Sequence, residues 1–284
     1  MSSYLLHTMA LFLESRGSFY PVSGTIAYLV SSWQVPLGKV SYYCLVRALV
    51  ACSFSCGLRH SMNAVLDTVL VLRIVSCLVG YEDAETKHCL DQLLPHMPCL
   101  VALHLEVSYF EGFEGFDFSA NSGLRFIDVR GNGLDGWDAQ GTSSLCSLSA
   151  LYLGGNRLSA QGLESLAPHF SSLISLQSIS LGHDGGLGNS LRDSGAAVLA
   201  QNLSALVCLT QIGLRSCKIG DAGVCALASS LRSALCLKAV DMESNPVGSV
   251  GLRGLAQGPP RCTTLRSLAL GWCETHFIDT DEGD

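Results

Sequence analysis

From residue 124 onward, apolar residues recur in the frame L-x-x-L-x-L-x-x-N/C-x-L, with polar or small residues filling the gaps. The frame starts at Leu124, Leu148, Leu176, Leu209, Leu237 and Leu265, at intervals of 24, 28, 33, 28 and 28 residues. Its clearest copies read LSALYLGGNRL, LTQIGLRSCKI and LKAVDMESNPV. Each has Gly at its fifteenth position (Gly162, Gly223, Gly251) and Leu at its nineteenth (Leu166, Leu227, Leu255). The period changes within a unit. The L-x-L pair alternates as a strand does, and the segment after the glycine spaces its apolar residues as a helix does. Each unit is therefore predicted to be strand, turn and helix, too short to bury its own apolar faces unless units stack.

The 33-residue interval is explained by five extra residues in the stretch Gly185 to Ser190, which return Gly195, Leu199, Ala200 and Leu203 to register. This places Asp184 at the ninth position of its unit, where it is expected to bond loop backbone, and makes the insertion a surface loop. The loop GHDGGLGNS has neither the G-K-[ST] ending of a phosphate loop nor a G-x-G-x-x-G spacing. Upstream, CLVALHLEVSYF supplies a unit from Leu100, and VLVLRIVSCLV one from Val69 whose helix carries Leu90 and Leu94. A looser unit starts at Val40. Residues 1–39 fit no register and are expected to cap the first open end, with a helix about Thr25 to Trp33. The organisation read from the chain is thus a cap over 1–39 and a solenoid over 40–284, with clear repeats from 100 and weaker ones over 40–99. In the unit from Leu124, Gly, Ser and Thr around Gly136 to Ser147 replace the helix pattern, which predicts a loop or one tight turn.

These units, and IGDAGVCALASSL most specifically, resemble the leucine-rich repeats of the ribonuclease-inhibitor type, shared with the sensor arms of NOD-like receptors and with Ran GTPase-activating proteins. The resemblance covers 100–284 closely and 40–99 loosely. It implies an α/β leucine-rich-repeat solenoid, a right-handed horseshoe with parallel strands on the concave face and helices on the convex one. Because inhibitors, sensors and GTPase activators share the repeat, it identifies an architecture rather than an activity.

Composition narrows the rest. With 48% apolar and 14% charged residues the chain is no disordered tail. A net charge of −7 with scattered Lys and Arg excludes the basic footprint of a nucleic-acid binder. Val40 to Leu58 and Met62 to Gly80 are long enough to cross a bilayer, but Arg47, Asp67 and Arg73 interrupt them. Both are expected to be solenoid core, and no membrane partner is expected. The first twenty residues lack a basic leader, which argues against a targeting peptide.

Thirteen cysteines, an odd number without a C-x-x-C pair, read as reduced thiols of a cytoplasmic protein. Cys77, Cys217 and Cys273 take the ninth position held elsewhere by Asn132, Asn156 and Asn245. Cys99, Cys208 and Cys236 each precede a first leucine, where they are expected to pack. No metal and no cofactor is called for. The eight histidines form no H-E-x-x-H, and neither a nucleophile elbow nor paired catalytic carboxylates occur. His183-Asp184 is an adjacent pair better explained by the loop, so no enzyme is expected.

What remains is a surface. Residues between and after the strand leucines face the concave side: Arg73, His104, Asp128, Tyr152, Ser180, Gly213, Asp241 and Ala269 in one column. Two residues on, the next column is Val75, Glu106, Arg130, Gly154, Gly182, Arg215, Glu243 and Gly271. Large, charged and aromatic side chains are the ones that anchor protein interfaces. Phe126, Asp128, Arg130, Tyr152, Arg215, Asp241, Glu243 and Trp272 are accordingly the candidate partner-binding residues. The function expected is noncatalytic protein–protein recognition or scaffolding through this face. The alternatives are a GTPase activator of the Ran-activating type, or the sensor fragment of a larger receptor or ligase.

Overall fold

A computed structural model describes residues 71–75, 91–106, 116–183, 188–257 and 264–271. The expected cap over 1–39, the loose unit from Val40, Asp184 and Trp272 lie outside the described residues.

Eight strands form one parallel sheet in chain order: β1 (Val71–Val75), β2 (Ala102–Glu106), β3 (Phe126–Asp128), β4 (Ala150–Tyr152), β5 (Ser178–Ser180), β6 (Gln211–Gly213), β7 (Ala239–Asp241) and β8 (Ser267–Ala269). Each begins two residues after a unit start. The register pairs the predicted column in sequence, Arg73 with His104, His104 with Asp128, Asp128 with Tyr152, and so on to Asp241 with Ala269. Among the described residues, α-helices whose full range is seen return the chain between the later strands: α1 (Ala160–Leu166), α2 (Arg192–Asn202), α3 (Asp221–Ser230) and α4 (Ser249–Gln257); residues 91–93, before β2, are also helical. Consecutive helices pack side by side. The fold is an α/β leucine-rich-repeat solenoid.

The core is the set of repeated leucines. Leu124, Leu148, Leu176 and Leu237 at the first position are inaccessible to solvent, as are Leu181 and Leu214 at the sixth and Leu163 and Leu199 in the helices. Glycine at the fifteenth position lets neighbouring units meet: a Cβ on Gly162 would strike the carbonyl oxygen of Asp135, and one on Gly251 would lie 2.6 Å from Asp221 Oδ1. Asp221, and Asp193, whose Oδ1 would lie 2.7 Å from a Cβ built on Gly223, also reach forward. Asp193 Oδ1 accepts the Gly220 N–H at 2.6 Å, and Asp221 Oδ1 accepts the Gly248 N–H at 2.6 Å. The entries of α3 and α4 are thus each held by the acid of the preceding unit, where the first-turn N–H groups lack intrahelical partners, whereas α1 is capped by its own Ser159.

On the convex side of the Leu124 unit there is no α-helix but an extended stretch closed by the single 3-10 turn Thr142–Ser144, in agreement with the Gly, Ser and Thr content. The space a helix would fill is taken by aromatic rings. Phe116 and Phe118 are inaccessible, Phe118 stacks on Trp137 at 6.2 Å, and the Trp137 indole N–H donates to Thr142 Oγ1 at 3.0 Å. An isolated parallel bridge, Asp117 with Gln140, joins this stretch to the preceding unit.

Strand turns and inter-unit hydrogen bonds are built from asparagine. The Asn156 Nδ2 donates to the sixth-position carbonyls of its own unit (Leu153, 2.7 Å) and of the preceding one (Val129, 3.0 Å). Its Oδ1 accepts N–H groups of Asn132 (2.8 Å) and Leu134 (3.2 Å). Asn245 repeats this with Leu214, Met242 and Ile219. Asn132 Nδ2 likewise donates to the Leu105 and Val129 carbonyls. In the insertion-bearing unit the position belongs to Asn189, not to Asp184: Asn189 donates to Leu153 and Leu181 and accepts from the Leu158 N–H at 3.0 Å. An aspartate offers no donor to two carbonyls, whereas the Asn189 amide serves both sides. The extra residues therefore precede Asn189, and the ladder is re-formed after them.

The cysteines divide differently from the sequence expectation. Cys217 is buried at the ninth position and its thiol meets the Leu181 carbonyl at 3.5 Å, as expected. Cys99, Cys208 and Cys236, expected to pack, are exposed, as is Cys146. The residue before the first leucine sits on the outside of the turn, so register predicts its place but not its burial. Burial pushes the Cys217 thiol up to about 12. In the native protein, an aromatic disulfide reagent is expected to titrate the exposed thiols rapidly and Cys217 only after urea unfolding, since the thiolate is the reacting form. Fast modification of Cys217 without urea would contradict this arrangement.

Candidate protein-recognition face

The concave face is assembled from the third, fifth and seventh positions of successive units. Alternation along each strand turns these side chains away from the leucine core. At β2 to β4 the side chains interlock diagonally. The His104 ring lies 4.7 Å from Phe126, Phe126 meets Tyr152 edge-on at 5.1 Å, and the Arg130 guanidinium stands over the Tyr152 ring at 5.7 Å. Rings in this range attract through their quadrupoles, and a guanidinium over a ring adds a cation–π term. The result is a half-buried aromatic platform whose orientations are fixed by neighbouring strands.

Asp128 holds this platform from within. Arg130 donates from Nε to Oδ1 and from Nη2 to Oδ2, each at 2.8 Å, and His104 Nδ1 lies 3.9 Å from Oδ2. Only 3% of Asp128 is accessible, so a residue expected to face a partner instead anchors the side chains that do. Burial pushes its carboxyl up, but the contacts from His104 and Arg130 outweigh burial and hold it well below the ordinary carboxylate range. Arg130, bidentate, is the firm contact of the two.

The sign of the pH effect follows. A carboxylate lowered on folding adds stability that is complete above the unfolded pKa, about 3.9, and is lost as pH falls through the folded value. Asp128→Asn is expected to lower stability by about 1 to 3 kcal/mol at pH 7, with the deficit shrinking below about pH 4. Urea titrations at pH 7 and pH 3 check this; equal deficits at both would refute the assignment.

At β5 to β8 the face is more open. Arg215 Nη1 pairs with Glu243 Oε2 at 2.6 Å, and the Glu243 N–H donates to Asp241 Oδ1 at 3.0 Å. Arg130, Ser180, Gly182, His183, Gly213, Arg215 and Asp241 line a shallow hollow between the two arginines. Glycine makes the hollow: a Cβ on Gly182 would collide with the Arg215 backbone. Seven of the eight candidate residues thus fall on one face in two clusters, Phe126–Asp128–Arg130–Tyr152 and Arg215–Asp241–Glu243, with the hollow between them. Ser180, Gly182 and His183 also line the hollow. The column alignment contained the first two without marking them as a site. His104 entered that alignment, but its part in the platform emerges from diagonal packing. Among the described residues no group of three or more metal-ligating side chains occurs. No helix among them is long and apolar enough to cross a membrane.

A family model described as Leucine Rich repeat matches residues 144–167, 206–228 and 234–256, which span β4 with α1 and the units of β6–α3 and β7–α4. The chain carries leucine-rich repeats in these stretches. Among solved structures it is similar to the TLR13–ssRNA13 complex, at 17% identity over 74% of this chain and 30% of that one, with a TM-score of 0.45. It is also similar to the plant peptide hormone receptor RGFR1 in complex with RGF2, at 17% identity over 63% of this chain and 26% of that one, with a TM-score of 0.38. The chain therefore spans less than a third of the length of either. No curated protein matches it.

Proposed function

We propose that this protein is a noncatalytic recognition module that binds another protein through the concave face of its solenoid. The observation that carries the proposal is the preorganised cluster His104, Phe126, Asp128, Arg130 and Tyr152. Its aromatic rings and guanidinium are held by contacts at 2.8 to 5.7 Å. Aromatic and Arg side chains dominate interface energetics, and ordering them beforehand removes part of the entropic cost of association. The second cluster, Arg215, Asp241 and Glu243, offers charged groups that set register against a partner rather than bulk affinity.

The strand–helix unit of 28 residues supports the ribonuclease-inhibitor type of repeat; one solenoid over 40–284 with a cap over 1–39 is the organisation proposed with it. The free thiols among the described residues are in keeping with a reducing, intracellular setting. Among the described concave side chains, the arginines Arg130 and Arg215 are each tethered to a carboxylate of their own face, which speaks against their presenting a guanidinium to a nucleotide.

Affinity capture with the whole chain, in parallel with Tyr152→Ala and Asp241→Ala, tests the reading. One reproducible protein lost with either substitution, at unchanged thermal stability, is the expected result. Capture indifferent to both would remove the concave face from consideration.

A further inference from the structure

The edge of the solenoid where the chain enters each strand carries a second surface, separate from the concave face. Two residues before the first leucine, consecutive units place Cys146, Ile174, Val207 and Leu235, all exposed. Ile174 is 52% accessible, Val207 58% and Leu235 76%. One residue on, Cys99, Cys208 and Cys236 add exposed thiols, which behave as small apolar groups. Parallel strands bring equivalent positions about 4.8 Å apart, so from β4 to β7 Cys146, Ile174, Val207 and Leu235, with Cys208 and Cys236 beside them, form a row rather than a scatter. Scattered exposed apolar residues are ordinary, whereas aligned ones mark an interaction surface.

Charge along the row is one-sided. The edge segments of the described residues, 97–101, 121–125, 145–149, 173–177, 206–210, 234–238 and 264–266, contain no Asp or Glu, in a chain of net charge −7; the equivalent segment of the Val69 unit, with Asp67, lies outside the described residues. The charged residues they do contain are Arg125, Lys238 and Arg266, all exposed. The acids named on the concave face (Asp128, Asp241, Glu243) and at the helix entries (Asp193, Asp221) all lie outside this edge.

We propose that this edge is a docking surface for an anionic lipid bilayer, on which the protein lies peripherally without crossing it. A fluid headgroup and acyl boundary closes around protruding apolar side chains set one strand spacing apart without needing a shaped groove. Apolar residues entering that boundary beside Lys and Arg is the arrangement by which peripheral proteins hold anionic membranes. The sequence offers no reason to expect a membrane partner, because its two long apolar stretches are interrupted by charge; this surface meets the face of a bilayer without crossing it. It does not depend on the concave recognition site, which stays open to solvent when the edge is docked.

Flotation of the full chain with vesicles of phosphatidylcholine, with and without phosphatidylserine, tests the proposal. The chain is expected to float with the anionic vesicles and to be released by high salt. The double substitution Val207→Asp and Leu235→Asp is expected to weaken binding about ten-fold or more. Lys238→Glu should weaken it about five-fold or more. Because all three residues are exposed, unchanged thermal melts and concave-face capture should accompany the losses. Tyr152→Ala should leave flotation intact. Failure of the wild-type chain to float, flotation indifferent to the edge substitutions, or a protein partner lost with those substitutions in place of lipid would each overturn it.

Discussion

Asn156→Ala is expected to cost about 3 to 5 kcal/mol, although the side chain touches no candidate binding residue. The Asn156 amide completes four buried hydrogen bonds of 3.2 Å or less, two to carbonyls and two from N–H groups, and three of these four partners belong to the preceding unit. Alanine leaves all four backbone groups without this partner in a site where Asn156 is 6% accessible. A buried polar group stripped of its hydrogen bond costs about 1 to 3 kcal/mol, and some re-satisfaction by entering water keeps the total below the sum. Arg157→Ala next to it, on an exposed side chain, should change stability by no more than about 0.5 kcal/mol. Urea midpoints of the two variants, compared at constant m, decide the matter. If both shift equally, the ladder is not what joins the units.

Leu214→Ala is the second large effect. Leu214 is inaccessible to solvent, at the same strand position as Leu181 in the preceding unit and Met242 in the following one, so truncation opens a cavity that rigid neighbours only partly fill. The expected loss is about 2 to 5 kcal/mol. Gly213, one residue earlier, is on the concave side. A Cβ there would sit 3.0 Å from Ser180 Oγ, the mobile end of a side chain that can turn away. Gly213→Ser should therefore cost less than about 1 kcal/mol. Thermal melts giving the opposite order would mean that the inside and outside of the strands had been exchanged.

The register was legible in the sequence because the central apolar position of each strand from β2 to β7 is buried between the same two neighbours, so one periodic constraint is repeated at each unit start; only in β8, at the end of the described sheet, is that position, Leu268, exposed. The glycine and leucine offsets likewise located helices α1 to α4, and the missing apolar period after Leu134 foretold the loop there. Three features were not legible. Asn189 took over the ladder position because only side-chain donors, not spacing, decide which residue of an inserted loop serves two carbonyls. Asp128 is buried because Phe126, Tyr152, Arg130 and His104 close over it diagonally across strands, and a column alignment carries no diagonal information. The exposed Cys208, Cys236, Val207 and Leu235 precede the repeat frame, where strand alternation no longer dictates which way a side chain turns.

Asymmetry is built into the ladder. Asn156, Asn189 and Asn245 each accept N–H groups from the unit before them, and Asp193 and Asp221 each cap the helix entry of the unit after. Lifting a unit away from the sheet therefore orphans different atoms on its two sides: amide hydrogens in the turn of its predecessor, and a helix entry in its successor. Amide-proton exchange should register this as a gradient with a direction. When a later unit opens, the Leu134, Leu158 and Ile219 amides lose protection with it, one unit upstream of the break.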